Sequence, residues 1–289
     1  MTEIIRTAEK GEESALRALW RDIFEDEEEV IDYFFKSQYK QENTAVALCG
    51  GRPVSMGFIL PTGLLKIPEA ESVPCAMIYG LATDKAHRGR GYAGNVARKL
   101  MEIARAGGYS HVVLHPANDG LFGYYENVLD FKSIFFAEET EYTINAADAL
   151  PGNIETAVQT LEGYCAARER MLENTAHIAF NSQLIEMQAF LCAQCGGGLY
   201  SFYDGGELTG CAIVEISDGA VHVKELLAAP EMQRQICGEI AARHGVKSVL
   251  IRRPVSPDSA QNDMKPFGMI HGAALDTKAC SAWYGPAFD

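Results

Sequence analysis

The sequence lacks several features that would place it in a large class of proteins at once. No apolar run reaches about 18 residues, so a transmembrane helix is not expected. The first residues, MTEIIRTAEKGEESALRALW, have no basic segment followed by an apolar one, which argues against a secretory signal and predicts a cytoplasmic protein. The eight cysteines are scattered, and a chain of 289 residues is too long for a disulfide-stapled module.

Basic residues are scarce as well. The chain has 25 Lys and Arg against 39 Asp and Glu, a formal net charge of −14. A field of this sign repels polyanions and favours cationic ligands, whereas nucleic-acid binding needs a large basic face. The densest acidic run, EDEEE at 25–29, is typical of a solvated helix or loop face. We therefore expect neither nucleic acid nor a membrane as a partner.

Metal-binding spacing is almost absent. Cys192 and Cys195 form a C-x-x-C pair in CAQCGGG, but a zinc ribbon needs a second matching pair, and the sequence has none. A redox pair would open a helix after a strand, where the helix N-terminus lowers the thiol pKa. Here the pair follows SQLIEMQAFL, late in a predicted helix. We expect no metal site.

The sequence does contain a regular series of strands and helices. Apolar patterning predicts strands in TAVALC, VSMGFIL and residues 74–83, and then a helix from about Tyr92 to Ala106. A strand in SHVVLHP, a helix in NDGLFGYYENVL and a closing strand in FKSIFFAEETEYTI follow. Pro and Gly near 145–155 predict a domain boundary, which we place between residues 148 and 149. Further on, the patterns predict helices over 155–173, 182–195 and 230–244, and strands in LYSFYD, ELTGCAIVEI, AVHVKELLAA, VKSVLIRRP and FGMIHGAALD.

The two halves of the chain resemble each other. ARAGGYSHVVLHP (104–116) and ARHGVKSVLIRRP (242–254) are each a helix end, a glycine stop and a buried strand that ends in proline. The hairpins TAVALCGGRPVSMGF and LYSFYDGGELTGCAI share a strand–GG–strand layout. This likeness predicts an internal duplication: two domains, 1–148 and 149–289. The first half has DKAHRGRGYAG between strand and helix, and the second has APEMQRQ, so the second half lacks the glycine loop.

The glycine loop, HRGRGYAG at 87–94, is suited to hold a phosphate. Gly89, Gly91 and Gly94 permit positive φ angles and close backbone approach. The segment lies between a buried strand and an amphipathic helix, so the first N–H groups of that helix point outward at the positive end of its dipole. Phosphates bind at such sites, and Arg88 and Arg90 can add charge-assisted hydrogen bonds.

Three other interpretations of this loop fit less well. An RGG-type RNA tether would be repeated in a disordered tail, and here a single copy lies inside a patterned domain. A Walker loop requires Lys-Ser or Lys-Thr after the last glycine, which is not found here. The spacing G-R-G-Y-A-G does match a dinucleotide fingerprint, but a parallel βαβ opening and an acidic residue after the next strand are missing.

LATDKAHRGRGYAG resembles the acetyl-CoA loop of the GNAT superfamily of N-acyltransferases. The family pattern is [Q/R]-x-x-G-x-[G/A], and Arg88, Gly91 and Ala93 occupy its three positions. The family also has an Asn after the next strand and a Tyr seven residues later, which Asn118 and Tyr125 match. The segment YENVLDF departs from the family pattern by one extra residue and by Asp130 where glycine is usual, which leaves Tyr124 as the alternative tyrosine.

The resemblance implies tandem GNAT-like α/β domains, each with a mixed, mostly antiparallel central sheet flanked by helices. The first would use acetyl-CoA as cosubstrate and transfer the acetyl group to a primary amine in a ternary complex. Tyr125 would be the acid for the departing thiolate, since an unperturbed tyrosine has a pKa of about 10. The residues that would hold acetyl-CoA are Leu81, Ala82, Thr83, Arg88, Gly89, Arg90, Gly91, Tyr92, Ala93, Gly94 and Asn118.

Several points stay open in the sequence. No general base is evident: Asp84 and His115 lie at strand ends, and a water relay or the C-terminal carboxylate of Asp289 are further candidates. The acceptor is expected to be a small cationic amine or a lysine-type side chain, because the chain is acidic. The second half would form a wall of the acceptor cleft or a subunit interface, which leaves a homo-oligomer open. The alternatives are an acyl-CoA sensor without chemistry and a nucleotide-binding oxidoreductase.

Overall fold

The computed structural model describes residues 3–144, 154–256, 264–273 and 282–288. The helices in these ranges are α1 (Glu13–Phe24), α2 (Glu28–Ser37), α3 (Tyr92–Ala106), α4 (Gly120–Leu129), α5 (Leu161–Met171), α6 (Ser182–Gln194) and α7 (Pro230–His244). The strands are β1 (Glu3–Thr7), β2 (Thr44–Cys49), β3 (Arg52–Lys66), β4 (Val73–Thr83), β5 (His111–Leu114), β6 (Lys132–Thr143), β7 (Ile154–Val158), β8 (His177–Phe180), β9 (Gly198–Asp204), β10 (Glu207–Ser217), β11 (Ala220–Ala228), β12 (Ser248–Pro254) and β13 (Lys265–Gly272). Among the described helices, none has the length and apolar character needed to cross a membrane.

The described residues form two compact units. The first contains residues 3–64, 73–133 and 268–273, and the second contains 65–72, 134–144, 154–256, 264–267 and 282–288. The predicted boundary between residues 148 and 149 lies outside the described residues and stays a prediction. The units are not continuous stretches of chain, because residues 134–144 belong to the second unit and 268–273 to the first.

The first unit is built on a mixed sheet with the strand order β1-β2-β3-β4-β5-β13. Strands are antiparallel at β1–β2, β2–β3 and β5–β13, and β4 and β5 are parallel. A parallel pair needs a crossover connection, which α3 provides. The open mixed sheet flanked by helices confirms the predicted fold class.

The hairpin between β2 and β3 turns as its sequence predicts. Gly50 and Gly51 have φ angles of +60° and +79°, the positive values that a two-residue hairpin turn requires. Every residue of β2 is buried, so this strand crosses the interior of the unit.

Helix α3 packs closely on the sheet through one apolar face. Val96, Leu100 and Ala104 recur at four-residue spacing and are fully buried. At Gly57 a Cβ atom would lie 2.8 Å from Cδ1 of Leu100, so glycine allows the helix to approach the strand. This packing fixes the N-terminus of α3 in the first unit.

The second unit has a sheet with the order β7-β9-β10-β11-β12-β6. The pairs β7–β9, β9–β10, β10–β11 and β12–β6 are antiparallel, and β11 and β12 are parallel and joined through α7. The parallel pair β11–β12 therefore occupies the same place in the order as β4–β5 in the first unit. This agreement supports the internal duplication, which stays a prediction.

One predicted element of the second unit is wrong. A helix was expected over 155–173, but β7 occupies Ile154–Val158 and α5 begins only at Leu161. Thr160 provides the reason, because its hydroxyl accepts the N–H of Gly163 and caps α5. The residues before the cap, 154–158, pair with β9 instead.

Candidate active site

Strand β4 extends beyond its pairing with β5. The parallel register joins Cys75, Ala76 and Met77 to residues 111–113, and β5 ends at Leu114. The remainder of β4, as far as Thr83, has no partner on β5 in this register. Backbone groups of this part of β4 are therefore not used in pairing with β5 and can face a ligand.

Gly80 shapes the part of β4 that lies beyond this pairing. Its φ angle is +58°, and a Cβ atom there would lie 3.0 Å from the ring of Phe58 and 3.1 Å from that of Trp20. Both the backbone conformation and the close aromatic packing therefore require glycine. Sequence patterning alone shows Gly80 only as an interruption of a strand.

Ser55, which was not among the predicted site residues, anchors the end of β4. Its hydroxyl donates to the carbonyl of Ala82 at 2.7 Å and lies 2.8 Å from Oγ1 of Thr83. Ser55 is fully buried on β3. A buried serine in a run of apolar residues was the available signal, since a buried hydroxyl needs a hydrogen-bond partner.

The loop after β4 is held in shape by its own side chains. Asp84 accepts the N–H of Ala86 at 2.7 Å, and its Oδ1 lies 3.3 Å from Nδ1 of His87. The hydrogen bond from Ala86 and the contact with His87 hold the pKa of Asp84 below its usual value. Nε of Arg88 donates to the carbonyl of Thr83 at 3.1 Å. Asp84 is thus committed to the loop, which argues against its expected candidacy as a general base.

The glycines of the loop leave open space in front of α3. Gly89 and Gly91 have φ angles of +76° and +81°, and a Cβ atom at either would meet nothing within 4 Å. Gly91 is the N-cap and offers no side-chain acceptor, and the first helical bond runs from Asn95 N–H to the Gly91 carbonyl at 3.1 Å. Helix geometry gives the N–H groups of Ala93 and Gly94 no acceptor within the helix. Together with the helix dipole, these groups can bind a phosphate.

The other predicted loop residues contribute in different ways. Arg88 and Arg90 are exposed, and an Arg90 nitrogen lies 3.4 Å from the Ala86 carbonyl. Tyr92 is 2% exposed and packs in the core, so its side chain contributes to packing and does not face a ligand. Leu81 is half-buried against the same core.

Tyr125 lies in the interior of the first unit. It is 8% exposed and packs with the buried core that includes Phe131 and Leu114. Burial, with a smaller effect from Tyr124, raises the pKa of Tyr125 to about 12. The hydroxyl is therefore a hydrogen-bond donor throughout the neutral pH range. Asn118, the other predicted residue of this segment, is exposed just before α4, and its carbonyl accepts the N–H of Leu121 at 3.1 Å.

Asp130, which stands where the family pattern usually has glycine, lies at the C-terminal end of α4 and fits the backbone there. Asp130 is the C-cap and has a φ angle of +56°, the left-handed conformation that glycine usually supplies at helix ends and that aspartate tolerates. Tyr124, the alternative tyrosine, is half-buried, and its hydroxyl lies 3.0 Å from the position of a Cβ atom on Gly94. The two tyrosines therefore differ in place: Tyr124 touches the start of α3, and Tyr125 lies in the core.

The remaining candidates for a base or a nucleophile are few. His115 is half-buried after β5, and Asp289 lies outside the described residues. Cys192 is buried near the end of α6, where burial raises the pKa of its thiol to about 12, so this member of the C-x-x-C pair is unreactive. The described residues contain no group of three or more His, Cys, Asp or Glu side chains that could hold a metal ion.

Comparisons with known proteins agree with the family resemblance of the loop sequence and with the observed fold. Residues 4–128 match the family model described as acetyltransferase (GNAT) domain, so this part of the chain carries a GNAT domain. No curated protein matches the sequence.

Solved structures resemble the fold of most of the chain. A GCN5-related N-acetyltransferase from Anabaena variabilis has a TM-score of 0.68 at 13% identity, covering 93% of this chain and 72% of that one. One from Kribbella flavida has a TM-score of 0.65 at 14% identity, covering 93% and 70%. Eis1 from Mycobacterium abscessus has a TM-score of 0.62 at 14% identity, covering 94% and 73%. At this level of identity the likeness concerns the fold alone.

Proposed function

We propose that the GNAT domain of residues 4–128 uses acetyl-CoA to acetylate a primary amine, in a complex that holds both substrates. The observation that carries this proposal is the loop between β4 and α3. Its two glycines with positive φ angles leave open space before the uncapped N-terminus of α3. Such a terminus, behind a glycine loop, is a site for the pyrophosphate of a nucleotide cosubstrate.

In this proposal the cosubstrate is held mainly by the backbone. The N–H groups from Arg88 to Gly94 would donate to the pyrophosphate oxygens. The guanidinium of Arg88 already donates to Thr83, so its first role is to shape the loop. Backbone groups of Leu81 and Thr83, on the part of β4 beyond its pairing with β5, would bind the pantetheine arm and the thioester carbonyl.

The transfer requires a nucleophile and a proton donor. The neutral amine nitrogen attacks the thioester carbon, the C–N bond forms, and the C–S bond then breaks. The developing thiolate takes a proton from the Tyr125 hydroxyl, and a proton lost by the acylated nitrogen restores the tyrosine. Burial raises the pKa of Tyr125 to about 12, above the value of about 10 on which its choice as the acid was based. It is therefore a weaker acid than the sequence suggested, and it stabilises the thiolate first by donating a hydrogen bond.

The acceptor we propose is the amine of a small cationic molecule. The net charge of −14 supports a cationic substrate, because a field of this sign attracts cations. A lysine side chain of a peptide would have the same reacting group. An acceptor screen that follows thiol release separates the two.

The experiment that tests the cosubstrate site compares two glycine variants. Gly91→Glu places a carboxylate in front of α3, whereas Gly51→Glu makes the same change at a hairpin turn with nearly the same φ angle, +79° against +81°. Both positions have open space, so the strain of the substitution is matched. We expect Gly91→Glu to abolish acetyl-CoA binding in calorimetry and Gly51→Glu to retain it. Equal binding by the two variants would remove the loop from the proposal.

A non-catalytic acyl-CoA sensor is the second candidate function. It is favoured by the hydrogen bonding of Asp84 within the loop, which argues against one of the two strand-end side chains that were candidates for the general base. The sensor predicts tight acetyl-CoA binding with no thiol release in the presence of any amine. The enzyme predicts both binding and amine-dependent release.

A further inference from the structure

His115 lies at the end of β5, where the pairing of β5 with β4 stops. β5 ends at Leu114, and the last pair of the parallel register joins Met77 to Val113. His115 is therefore two residues beyond that pair, level with the part of β4 that has no partner on β5 in this register. Its side chain is half-buried. Whether it can act on a substrate there depends on the face of the sheet to which it points.

The two faces of β4 and β5 pack against different helices. Alternate residues of the two strands belong to the buried core that contains the apolar face of α3: Ala76, Ile78, Val112 and Leu114. Tyr79 points to the other face, because its ring centroid lies 5.9 Å from that of Trp20 on α1 and 5.5 Å from that of Phe34 on α2. One face of the strands is thus the α3 side, and the other is the side of α1 and α2.

The proline after His115 fixes the direction of the histidine. A residue that precedes a proline is restricted to extended conformations, and successive side chains of an extended chain point to opposite faces. Leu114 points to the α3 side, so His115 points to the side of α1 and α2. Pro116 is buried, which holds this end of the strand in place.

Tyr125, the proposed proton donor, packs on the α3 side of the same sheet. A thioester bound along the part of β4 beyond its pairing would have Tyr125 on one side and His115 on the other. In the tetrahedral intermediate the entering nitrogen and the departing sulfur occupy different positions around one carbon. A proton acceptor on one face of the sheet and a donor on the other can therefore serve these two atoms separately.

We propose that His115 is the general base of the acetyl transfer, a role that rests on the proposed function. A ring nitrogen of His115 takes a proton from the amine nitrogen, and the electron pair of that nitrogen forms the bond to the thioester carbon. The C–S bond then breaks, and the sulfur takes the proton of Tyr125. His115 returns its proton to water, and a proton from water restores Tyr125. Histidine is the side chain that most often transfers protons in catalysis.

The test compares two acceptors that reach the enzyme in different protonation states. 1,4-Diaminobutane is an ammonium ion at neutral pH and must lose a proton before it attacks, whereas methoxyamine is a weak base and is already neutral. His115→Gln keeps a polar side chain but cannot take the proton. We expect it to lower kcat/KM for diaminobutane by about 100-fold, the lower end of what a general base contributes, and to affect methoxyamine far less. Imidazole added to His115→Ala should restore part of the diaminobutane rate.

His222→Gln is the matched control, because His222 is a half-buried histidine on β11 of the second unit, and both rates should stay unchanged. Calorimetry should show that His115→Gln binds acetyl-CoA as the wild type does. An equal loss with both acceptors, or an unchanged rate with diaminobutane, would overturn the role of His115 as a base while the proposed transfer stands. A wild type that releases no thiol with either amine would instead contradict the transfer itself and, with it, a base at His115.

Discussion

Single residues of the loop between β4 and α3 divide into those that sequence predicts and those that it does not. The glycine spacing correctly predicted a loop with positive φ angles at Gly89 and Gly91 before α3, because such spacing reflects a backbone requirement. The roles of Asp84 and Ser55 were not foreseen. Each depends on which neighbouring atom its side chain reaches, and local pattern carries no information about that.

Asp84 leads to a prediction about cosubstrate affinity. Asp84→Ala removes the acceptor of the Ala86 N–H and should loosen the loop, as the loss of a capping side chain does. We expect acetyl-CoA to bind about tenfold more weakly, by analogy with the cost of losing a cap, with a smaller change in kcat. Asp84→Asn keeps an acceptor oxygen and should lose less. A larger loss in kcat than in affinity, measured by steady-state kinetics and calorimetry, would instead place Asp84 in the chemistry.

Tyr125 gives a prediction about turnover and pH. Tyr125→Phe should lower kcat by about 100-fold, a typical loss for a general acid, and leave acetyl-CoA affinity nearly unchanged. Burial raises the pKa of Tyr125 to about 12, so the hydroxyl is fully protonated at neutral pH and loses its proton only as the pH rises through that value. A fall in wild-type rate between about pH 8 and 10 would therefore have another origin. Tyr124→Phe is the control, and a larger kcat loss there would transfer the role to Tyr124.

At the scale of elements, sequence patterning succeeded where an element carries a complete local signal. α3, α7 and β2 begin and end where their patterns predict. β1, α2, β7 and β8 were missed. β1, β7 and β8 have five residues or fewer, too short for a clear period. α2 begins within the acidic run 25–29, and it buries Ile31, Phe34 and Phe35. It was missed because the acidic residues at its start were taken for an exposed face, although the residues after them form an amphipathic helix.

The closing strand of the first unit gives a prediction about stability. At Gly272 a Cβ atom would lie 2.5 Å from Cδ2 of His111 and 2.8 Å from the Ser110 carbonyl, and the φ angle is +153°. Gly272→Ala should therefore lower the free energy of unfolding by about 2–3 kcal/mol, as overpacking does. Gly219→Ala, at a positive φ angle in open space, should cost about 1 kcal/mol through backbone strain alone. Urea unfolding measures both, and equal losses would mean that β13 can shift to accommodate the methyl group.

At the scale of the whole molecule, patterning predicted two similar α/β halves, but its choice of FKSIFFAEETEYTI as the closing strand of the first half was wrong, because this strand, β6, closes the sheet of the second unit. Residues 269–272 of β13 pair with β5, and β6 pairs with β12. The strand that closes each sheet thus comes from the opposite half of the sequence. Local patterning could not predict this, because the pattern of a strand specifies its buried face and not its partner.

The second unit also determines how many cosubstrate molecules the chain should bind. Between β11 and α7 a single residue, Ala229, replaces the glycine loop, and Pro230 occupies the first helical position. Proline has no N–H to offer a phosphate. Nε2 of Gln233, in the first turn of α7, donates to the Ala228 carbonyl at 3.2 Å, and Arg253 donates to Oε1 of Gln233. The end of β11 is thus occupied by the unit's own side chains.

We therefore expect acetyl-CoA to bind at one site per chain, with a calorimetric stoichiometry near one for each chain. The site should be the loop of the first unit, so Gly91→Glu should reduce the stoichiometry to zero and leave no weaker second phase. A value near two, or residual binding in Gly91→Glu that disappears on changing Gln233 or Arg253, would show that the second unit binds acetyl-CoA without a glycine loop. Both units would then bind acetyl-CoA. The absence of glycines at 228–234 would no longer indicate that the second unit lacks a binding site.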